Sequence, residues 1–198
     1  MMKQLEVSEF SRKIFHLLNM VIPLIHIYFI EDRIEMLIFL SFMLIICFFI
    51  EVLRAQYFYL HKLFKKYLHF MMRVSEKKGE ITGATYVFAG SLFTIILIPK
   101  PFCIVALFFL AVGDTFAALV GVNYPFLKIG RKTLTGSIAC FVTCCIIGLL
   151  FSFGLNTSTI MFGAFIATLT ELSSIKINDN LSIPILSGLS MYYFNTLL

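Results

Sequence analysis

Seven sustained apolar runs, separated by short polar segments, divide the chain. They occupy residues 14–30, 34–53, 82–98, 102–121, 133–154, 159–175 and 181–197. A helix that crosses a bilayer needs about 20 apolar residues, so the runs predict about seven transmembrane helices. The predicted fold class is an all-α integral membrane protein, with residues 1–198 forming a single polytopic domain.

A further helix is predicted over 54–73, where apolar and basic residues recur on separate faces. The apolar face holds Tyr57, Leu60, Phe64, Tyr67 and Met71, and the other holds Arg54, His61, Lys65, His69 and Arg73. This pattern is typical of an amphipathic helix that lies in the headgroup plane of a membrane. A nucleic-acid partner is not expected, because the aromatic face would then be left in water.

Composition supports a membrane protein over a freely soluble enzyme. The 198 residues are 60% hydrophobic and 14% charged, with mean hydropathy +0.94. Soluble domains have about half apolar and a quarter charged residues. Disorder is excluded too, because it requires low hydrophobicity and high charge. The five cysteines all lie inside apolar runs, away from histidine, which indicates core residues rather than disulfides or a zinc site.

The net charge of +5 comes from basic loops on one side of the predicted membrane. Alternate loops carry 14 Lys and Arg residues: Lys3, Arg12, Lys13, Arg54, Lys62, Lys65, Lys66, Arg73, Lys77, Lys78, Lys128, Arg131, Lys132 and Lys176. The opposite loops carry only Arg33 and Lys100. Cytoplasmic loops are enriched in Lys and Arg, so we expect a cytoplasmic N-terminus and an external C-terminus.

Polar residues share one face of the first predicted helix. They are Arg12, His16, Asn19, Pro23 and His26. Polar groups inside a membrane usually face a cavity or a partner. The face is therefore either a hydrogen-bonded contact between helices or part of a functional site. For Arg12, Lys13 and His16, near the membrane surface, we favour a functional site.

Asp114 is the most informative polar residue, because it lies inside an apolar run directly after Gly113. It shares a helix face with Ala117, Ala118 and Gly121, a stripe of small residues open to another backbone or to a ligand. The acid could be a buried ion-pair partner, but a basic loop follows it. Asp114 near phosphates would most naturally bind Mg²⁺.

The segment 128–137 places cations and hydroxyls at the start of the fifth predicted helix. Lys132 follows Arg131, Thr133 is a predicted N-cap, and Gly136 and Ser137 would admit a ligand to the backbone. A helix N-terminus binds anions readily, so we predict a phosphate site. The alternative is a basic topological anchor with an ordinary cap. A Walker A loop is excluded by the glycine spacing.

Two more polar clusters lie on the same predicted face. One opens the third run with Glu80, Thr82 and Gly83, and the other comprises Glu171, Asn178, Asp179 and Asn180. Simpler readings are a cap by Asn180 or Ser182 and a pair between Glu80 and a nearby lysine. Glu51 indicates only a local pair with Arg54. Together these clusters are what a shallow cytoplasmic active site would require.

At these residues the sequence resembles the CTP-dependent lipid kinases, which include dolichol kinase, phytol kinase and the yeast-type diacylglycerol kinase. The matching segments, in family order, are RKIFH at 12–16, GEITGATY at 79–86, GDTFAALVG at 113–121, KTLTGS at 132–137, and Glu171 with NDNLSIP at 178–184. The resemblance implies phosphoryl transfer from CTP to a membrane lipid alcohol (a polyprenol, phytol or diacylglycerol), with Mg²⁺ or another divalent cation. After Gly121 the chain departs from the family, with Val-Asn-Tyr-Pro in place of a basic residue and a further glycine.

The resemblance suggests roles for residues of the matching segments. Catalytic roles fall to Asp114, Lys132 and His16, and cation binding to Asp114 with Glu171 or Asp179. The residues expected to bind nucleotide or phosphate are Arg12, Lys13, Gly113, Gly121, Arg131, Thr133, Gly136 and Ser137. The remaining residues of the cytoplasmic face are Glu80, Thr82, Gly83, Asn178 and Asn180. The oligomeric state is left open, including a homo-oligomer.

Two other functions are compatible with part of the pattern. Phosphatidate cytidylyltransferase shares a Gly-Asp helix and a Lys-Thr-x-x-Gly-Ser stretch, but its C-terminal Lys-Asp, His-Gly-Gly and Asp-Arg elements are absent. The spaced aspartates of the CDP-alcohol phosphotransferases are absent too. A transporter or lipid-binding protein could use His16, His26 and Asp114 as a polar path, although the polar residues concentrate on one face.

Overall fold

A computed structural model describes residues 7–67, 80–130, 132–173 and 177–198. The described chain is helical apart from one small hairpin. The helices are α1 (Val7–Leu17), α2 (Val21–Tyr28), α3 (Arg33–Gln56), α4 (Phe58–Tyr67), α5 (Gly83–Leu97), α6 (Lys100–Asn123), α7 (Leu134–Leu150), α8 (Thr157–Leu172) and α9 (Asp179–Thr196). A 3-10 turn, Leu18–Met20, joins α1 to α2. The hairpin pairs β1 (Lys128–Ile129) with β2 (Lys132–Thr133).

The all-helical fold predicted from the apolar runs is confirmed, because each run contains a helix or, for the first run, a helix interrupted by the 3-10 turn. By length and apolar composition, α3 and α6 could each cross a membrane. The apolar helices α5, α7 and α8 are shorter, with 15 to 17 residues. Seven crossings are therefore not established by the helices themselves.

Helix α6 forms the centre of the protein, and α3 lies at its edge. Every residue of α6 from Phe102 to Thr115 is buried, and α7, α8, α9, α1 and α2 all pack against this helix. A helix that is apolar on all sides is normally buried in this way. In contrast, α3 buries only Met36, Leu40 and Arg54.

Helices α6 and α7 pack with their backbones nearly touching. A Cβ on Gly136 would lie 2.6 Å from the carbonyl oxygen of Ala117, and one on Gly121 would lie 3.3 Å from the Cα of Gly136. One turn deeper, Gly113 makes room for the sulfurs of Cys140 and Cys144. Small residues allow such close approach between apolar helices. The stripe that begins at Asp114 is therefore a helix-packing surface.

The two cations of the predicted external side both tie loops to helix ends. Arg33 donates from Nε to the carbonyl of Ile95 at 3.0 Å and from Nη2 to that of Ile96 at 2.6 Å. Lys100 Nζ donates to the carbonyl of Glu31 at 2.7 Å. Arg33 therefore satisfies carbonyl groups in the last turn of α5 that have no partner within the helix. Lys100, at the start of α6, instead holds the loop between α2 and α3.

Helix α4 corresponds to the predicted amphipathic segment over 58–67, and residues 68–73 of that segment lie outside the described residues. Tyr59, Tyr67 and Lys66 are exposed on it. The prediction was wrong for Arg54, which is only 3% exposed and belongs to the last turn of α3. There it pairs with Glu51 at 2.5 Å. The two helices are separate because α3 ends before Tyr57 and α4 begins after it.

Four buried hydroxyl groups of the core bond to their own helices. Thr115, Thr168 and Ser187 each donate to the carbonyl four residues earlier, at 2.7 to 2.8 Å. Thr94 does the same to Gly90 at 2.6 Å. In apolar surroundings, such back-bonding satisfies a hydroxyl without a partner from another helix or from water. These hydroxyls therefore do not line a polar path.

Candidate functional site: a buried ionic cluster

Asp114 lies at the centre of the candidate site, on the central helix α6. It is 7% exposed, and Lys13 of α1 is 5% exposed. Lys13 Nζ lies 2.6 Å from Asp114 Oδ2 and also donates to the Asp114 carbonyl at 3.1 Å. A buried charge requires a partner, and each of these residues supplies one to the other.

His16, one turn after Lys13 on α1, contacts the same carboxylate oxygen. Its Nε2 lies 3.0 Å from Asp114 Oδ2. The ring is not oriented for a well-directed hydrogen bond to that oxygen, so the contact is close but imperfectly aligned. On the other side of the ring, Asn19 Nδ2 lies 2.6 Å from His16 Nδ1. Asn19 belongs to the 3-10 turn that interrupts the first long helix.

A second group of charges centres on Lys132 of β2. Its Nζ lies 2.5 Å from Glu171 Oε1 and 3.5 Å from Asp179 Oδ2. Glu171, in the last turn of α8, is 3% exposed, and Asp179 is the first residue of α9. Lys132 therefore joins the start of α7 to the facing ends of α8 and α9.

The environment of Lys132 favours its charged form. Burial opposes the charge, but Glu171 and Asp179, with a smaller contribution from Asp114, outweigh burial and raise the pKa of Lys132. The stabilisation that this charge supplies is fully present below the ordinary lysine pKa and is lost only as the pH rises through the raised value. We refer to the two groups of charges, Lys13 and His16 with Asp114, and Lys132 with Glu171 and Asp179, together as the ionic cluster.

Two backbone N–H groups at the N-terminus of α7 donate within the protein. Thr133 is the predicted N-cap, and its Oγ1 accepts from the Gly136 N–H at 3.2 Å. The Leu134 N–H donates to the carbonyl of Leu127 at 3.0 Å. Ser137 Oγ donates to the Thr133 carbonyl at 3.3 Å. These groups therefore stabilise the turn.

The prediction that Gly136 opens the α7 backbone to a ligand was wrong, because Gly121 and Ala117 of α6 fill the space beside it. Gly121 and Gly113 likewise face α7. Of the residues predicted to bind phosphate in this segment, Lys132 contributes a charged side chain that pairs with Glu171 and Asp179. Arg131 lies outside the described residues.

The Glu80–Gly83 and Asn178–Asn180 segments anchor helix ends. Asn180 Nδ2 donates to the Gly83 carbonyl at 3.0 Å, which links the starts of α5 and α9. Asn178, rather than Asn180 or Ser182, caps α9 and accepts from the Asn180 N–H at 3.1 Å. The Glu80 carbonyl accepts from Arg54 Nη2 at 2.5 Å.

Glu51 has a larger role than the local pair that the sequence indicated. Its Oε1 accepts from the backbone N–H of Thr82 at 2.8 Å, next to the start of α5, while its Oε2 pairs with Arg54 at 2.5 Å. A carboxylate at a helix N-terminus is favourable for the helix dipole. A glutamate near the end of an apolar run is a weak signal, and the sequence separation of 31 residues hid its partner.

The carboxylates of the cluster are chemically suited to a hard divalent cation, which prefers oxygen ligands. Lys13 and His16 both contact Oδ2 of Asp114, and Lys132 neutralises Glu171 and Asp179. No three His, Cys, Asp or Glu side chains within the described ranges are grouped as metal ligands. The magnesium site at Asp114 with Glu171 or Asp179 therefore stays a prediction.

The described part of the chain is thus an all-helical protein with two helices long and apolar enough to cross a membrane. Buried ion pairs link its helices. The chain is 31% identical over 194 residues to the uncharacterized protein RP860 of Rickettsia prowazekii, with 94% of each chain covered. It belongs to the same family as that protein. No family model and no solved structure matches the chain.

Proposed function

We propose that the protein is a polytopic membrane kinase that transfers the γ-phosphoryl group of CTP to a lipid alcohol. The observation that carries the proposal is that charged residues far apart in the sequence are paired in the structure. Lys13, His16, Asp114, Lys132 and Glu171 come from four separate parts of the chain and form two groups of buried ion pairs, Lys13 and His16 with Asp114, and Lys132 with Glu171. They belong to the motif segments that resemble the CTP-dependent lipid kinases.

The charges of this cluster suit phosphoryl transfer, which depends mainly on positioning and on neutralising phosphate oxygens. Lys13 and Lys132 would bind phosphate oxygens, and Asp114 with Glu171 or Asp179 would hold Mg²⁺. The bound cation would neutralise charge on the phosphates. The lipid oxygen forms a bond to the γ-phosphorus, the bond to the β,γ-bridging oxygen breaks, CDP leaves, and the hydroxyl proton is released.

The proposal includes seven crossings, with the first formed by α1 and α2 together. Exposed apolar side chains support it. Phe42, Phe48 and Phe49 are each about three-fifths exposed on α3, and Ile146 and Phe165 are about half-exposed on α7 and α8. Many exposed apolar side chains of this kind are unfavourable in water and favourable in lipid. A membrane locally thinned around the shorter helices would accommodate them at modest cost.

Topology supplies one test. A fluorescent reporter inserted beside Lys62 on α4 should be cytoplasmic, and one fused after Leu198 should be external. The expectation follows from the predicted seven crossings and the concentration of Lys and Arg on alternate loops. Protease protection in oriented vesicles measures both positions. Finding the two reporters on the same side would require an even number of crossings between them and would overturn the proposed arrangement.

The transporter alternative is disfavoured by the positions of the histidines. His16 contacts Asp114, whereas His26 is fully buried and bonds through Nδ1 to the Ile30 carbonyl at 2.8 Å, its own helix end. Ten residues of helix separate them by about 15 Å. The hydroxyls of Thr94, Thr115, Thr168 and Ser187 bond to their own helices, so they do not bridge the two histidines.

The reaction type is tested with labelled CTP. Purified protein in lipid vesicles is given Mg²⁺ and CTP labelled at either the α- or the γ-phosphate, with polyprenol, phytol, diacylglycerol and phosphatidic acid in parallel. We expect γ-label to enter one of the alcohols and CDP to appear. The expectation follows because the cluster matches the kinase motifs while the C-terminal cytidylyltransferase elements are missing.

Two outcomes would contradict this assignment. Transfer of α-label to phosphatidic acid, with release of pyrophosphate, would identify a cytidylyltransferase. No transfer from CTP, ATP or GTP to any of the four lipids would favour a non-catalytic lipid-binding or transport protein. The lipid that accepts the label identifies the substrate, which an apolar helical surface alone does not specify.

A further inference from the structure

Helix α4 exposes both apolar and basic side chains. Tyr59 and Tyr67 are 74% and 60% exposed, and Leu63 is exposed between them. At a spacing of four residues, the three side chains form one stripe along the helix, and of these only Tyr67 also belongs to the apolar face predicted from the sequence. Lys62 and Lys66 are exposed beside the stripe. An exposed apolar stripe with lysines along its side is typical of a helix at a membrane surface.

The position of α4 in the chain places it at the end of a helix that is suited to cross a membrane. Helix α3 has 24 residues and enough apolar character for a crossing, and Phe48 and Phe49 are exposed in its C-terminal half. Only Tyr57, in an extended conformation, separates α3 from α4. The Cα atoms on either side of it are at most about 7 Å apart. With α3 in the bilayer, α4 therefore begins in the headgroup region.

We propose that the exposed face of α4 binds the headgroups of anionic phospholipids. Charge selects this class of lipid, because residues 52–75 hold five Lys and Arg and no Asp or Glu. Of the five, Arg54 is paired with Glu51, while Lys62 and Lys66 are exposed on α4 itself. A zwitterionic headgroup carries its own cation and no net charge, whereas an anionic headgroup attracts nearby lysines. Binding here rests on the proposed function only through the crossing by α3.

The tyrosines and the lysines of α4 have separate parts in this binding. A tyrosine is favourable at the level of the headgroups because its ring is apolar and its hydroxyl is polar, so Tyr59 and Tyr67 set the depth of the helix. A lysine keeps its ammonium group in water while its stem lies along apolar surface, so Lys62 and Lys66 reach the lipid phosphates. Lys66 Nζ lies 5.3 Å from the centre of the Tyr67 ring, which keeps a cation next to a tyrosine of the stripe.

Fluorescence quenching by brominated lipids tests the binding. The chain contains no Trp, so Tyr59→Trp supplies a single reporter on the stripe. The full-length variant is reconstituted in two sets of vesicles made of the same mixture of phosphatidylcholine and phosphatidylglycerol. Bromine, which quenches the reporter on contact, is carried by the phosphatidylglycerol in one set and by an equal mole fraction of phosphatidylcholine in the other. We expect stronger quenching by the brominated phosphatidylglycerol, corresponding to a local enrichment of about two- to fivefold.

Removing the lysines tests the contribution of charge. Lys62→Gln with Lys66→Gln, introduced together with Tyr59→Trp, should make the two brominated lipids equally effective, because the remaining surface has no exposed cation beside the stripe. Raised salt should have the same effect on the Tyr59→Trp variant, because it screens exposed charges. Lys128→Gln is the matched control for charge. Lys128 is exposed on β1, in another loop, so its removal should leave the preference for phosphatidylglycerol unchanged.

Tyr28→Trp is the control for position, since Tyr28 is exposed at the end of α2, on the opposite side of the predicted membrane. This reporter should be quenched without a preference for phosphatidylglycerol. Equal quenching of Tyr59→Trp by both lipids, or a preference that survives the loss of both lysines, would overturn the proposal.

The pattern of quenching also separates this proposal from the proposed function. Quenching of Tyr28→Trp but not of Tyr59→Trp would show that α4 faces water or another protein, and it would overturn lipid binding by α4 alone. Absence of quenching at both positions would overturn the membrane crossings and the lipid binding together. A kinase that proved inactive would change neither result, because no nucleotide is present in the assay.

Discussion

Replacing Asp114 with Asn is expected to lower γ-phosphoryl transfer by at least about 100- to 1000-fold, the usual cost of losing one electrostatic contact at a reacting centre. Asn keeps the shape of the side chain and an acceptor for Lys13, which now lies 2.6 Å from Oδ2. It loses the negative charge that a divalent cation needs. The initial rate of γ-label incorporation into lipid, at ordinary and at raised Mg²⁺, measures the effect.

Asp32→Asn is the matched control for this substitution. Asp32 caps α3 at the opposite end of the protein, where its Oδ1 accepts from the N–H groups of Ile34 at 2.8 Å and Glu35 at 3.0 Å. The bond from Glu35 and its neighbours lowers the pKa of Asp32, and Asn is an equally good N-cap. This variant should insert and react normally. A normal rate for Asp114→Asn at ordinary Mg²⁺ would contradict a catalytic role and leave Asp114 as a structural ion-pair partner.

The helices were predictable because each lies in a continuous run of apolar residues, which is a local property of the sequence. Helix α6 has a long apolar run and its bounds, Lys100–Asn123, enclose the predicted 102–121. The N-cap at Thr133 was also predictable, because a cap involves residues only three positions apart. The hairpin at 128–133 was not, since its two-residue strands carry no periodic pattern.

The partners within the cluster required the three-dimensional fold. Arg12 and Lys13 are adjacent and equally basic, yet it is Lys13 that reaches Asp114, 101 residues away. Arg12 is half-buried on the same helix. A difference of one position rotates a helical side chain by about 100°, and sequence alone does not say which direction faces α6. The role of Glu51 at the start of α5 escaped prediction for the same reason.

The contacts within the protein also change the expected role of the basic segment before α7. The N–H groups of Leu134 and Gly136 donate within the protein, and α6 fills the space beside Gly136. Lys132 and Lys13 each neutralise carboxylates on other helices. A nucleotide that binds here would exchange these ion pairs for contacts with phosphate and cation, which would make its affinity depend on both lysines.

The largest expected effect on stability comes from breaking the pair between Lys13 and Asp114. Lys13→Met should lower the free energy of unfolding by about 3–5 kcal/mol, because it leaves a buried carboxylate without its main counter-charge. Asp114→Asn should destabilise less, since the amide still accepts from Lys13. The double variant should be more stable than the sum of the two effects predicts, because it leaves neither charge alone. Unfolding of the four proteins in mixed micelles measures the coupling.

The more exposed pair of Lys132 and Asp179, at 3.5 Å and with side chains 30% and 25% exposed, serves as the control. The same cycle there, with Lys132→Met and Asp179→Asn, should give a coupling below about 1 kcal/mol. Additive effects at Lys13 and Asp114, within about 0.5 kcal/mol, would show that the pair does not hold α1 to α6. A double variant at that pair that is as stable as wild type but transfers no phosphate would separate the structural role of the pair from its role in transfer, to which Lys13 and Asp114 would both contribute.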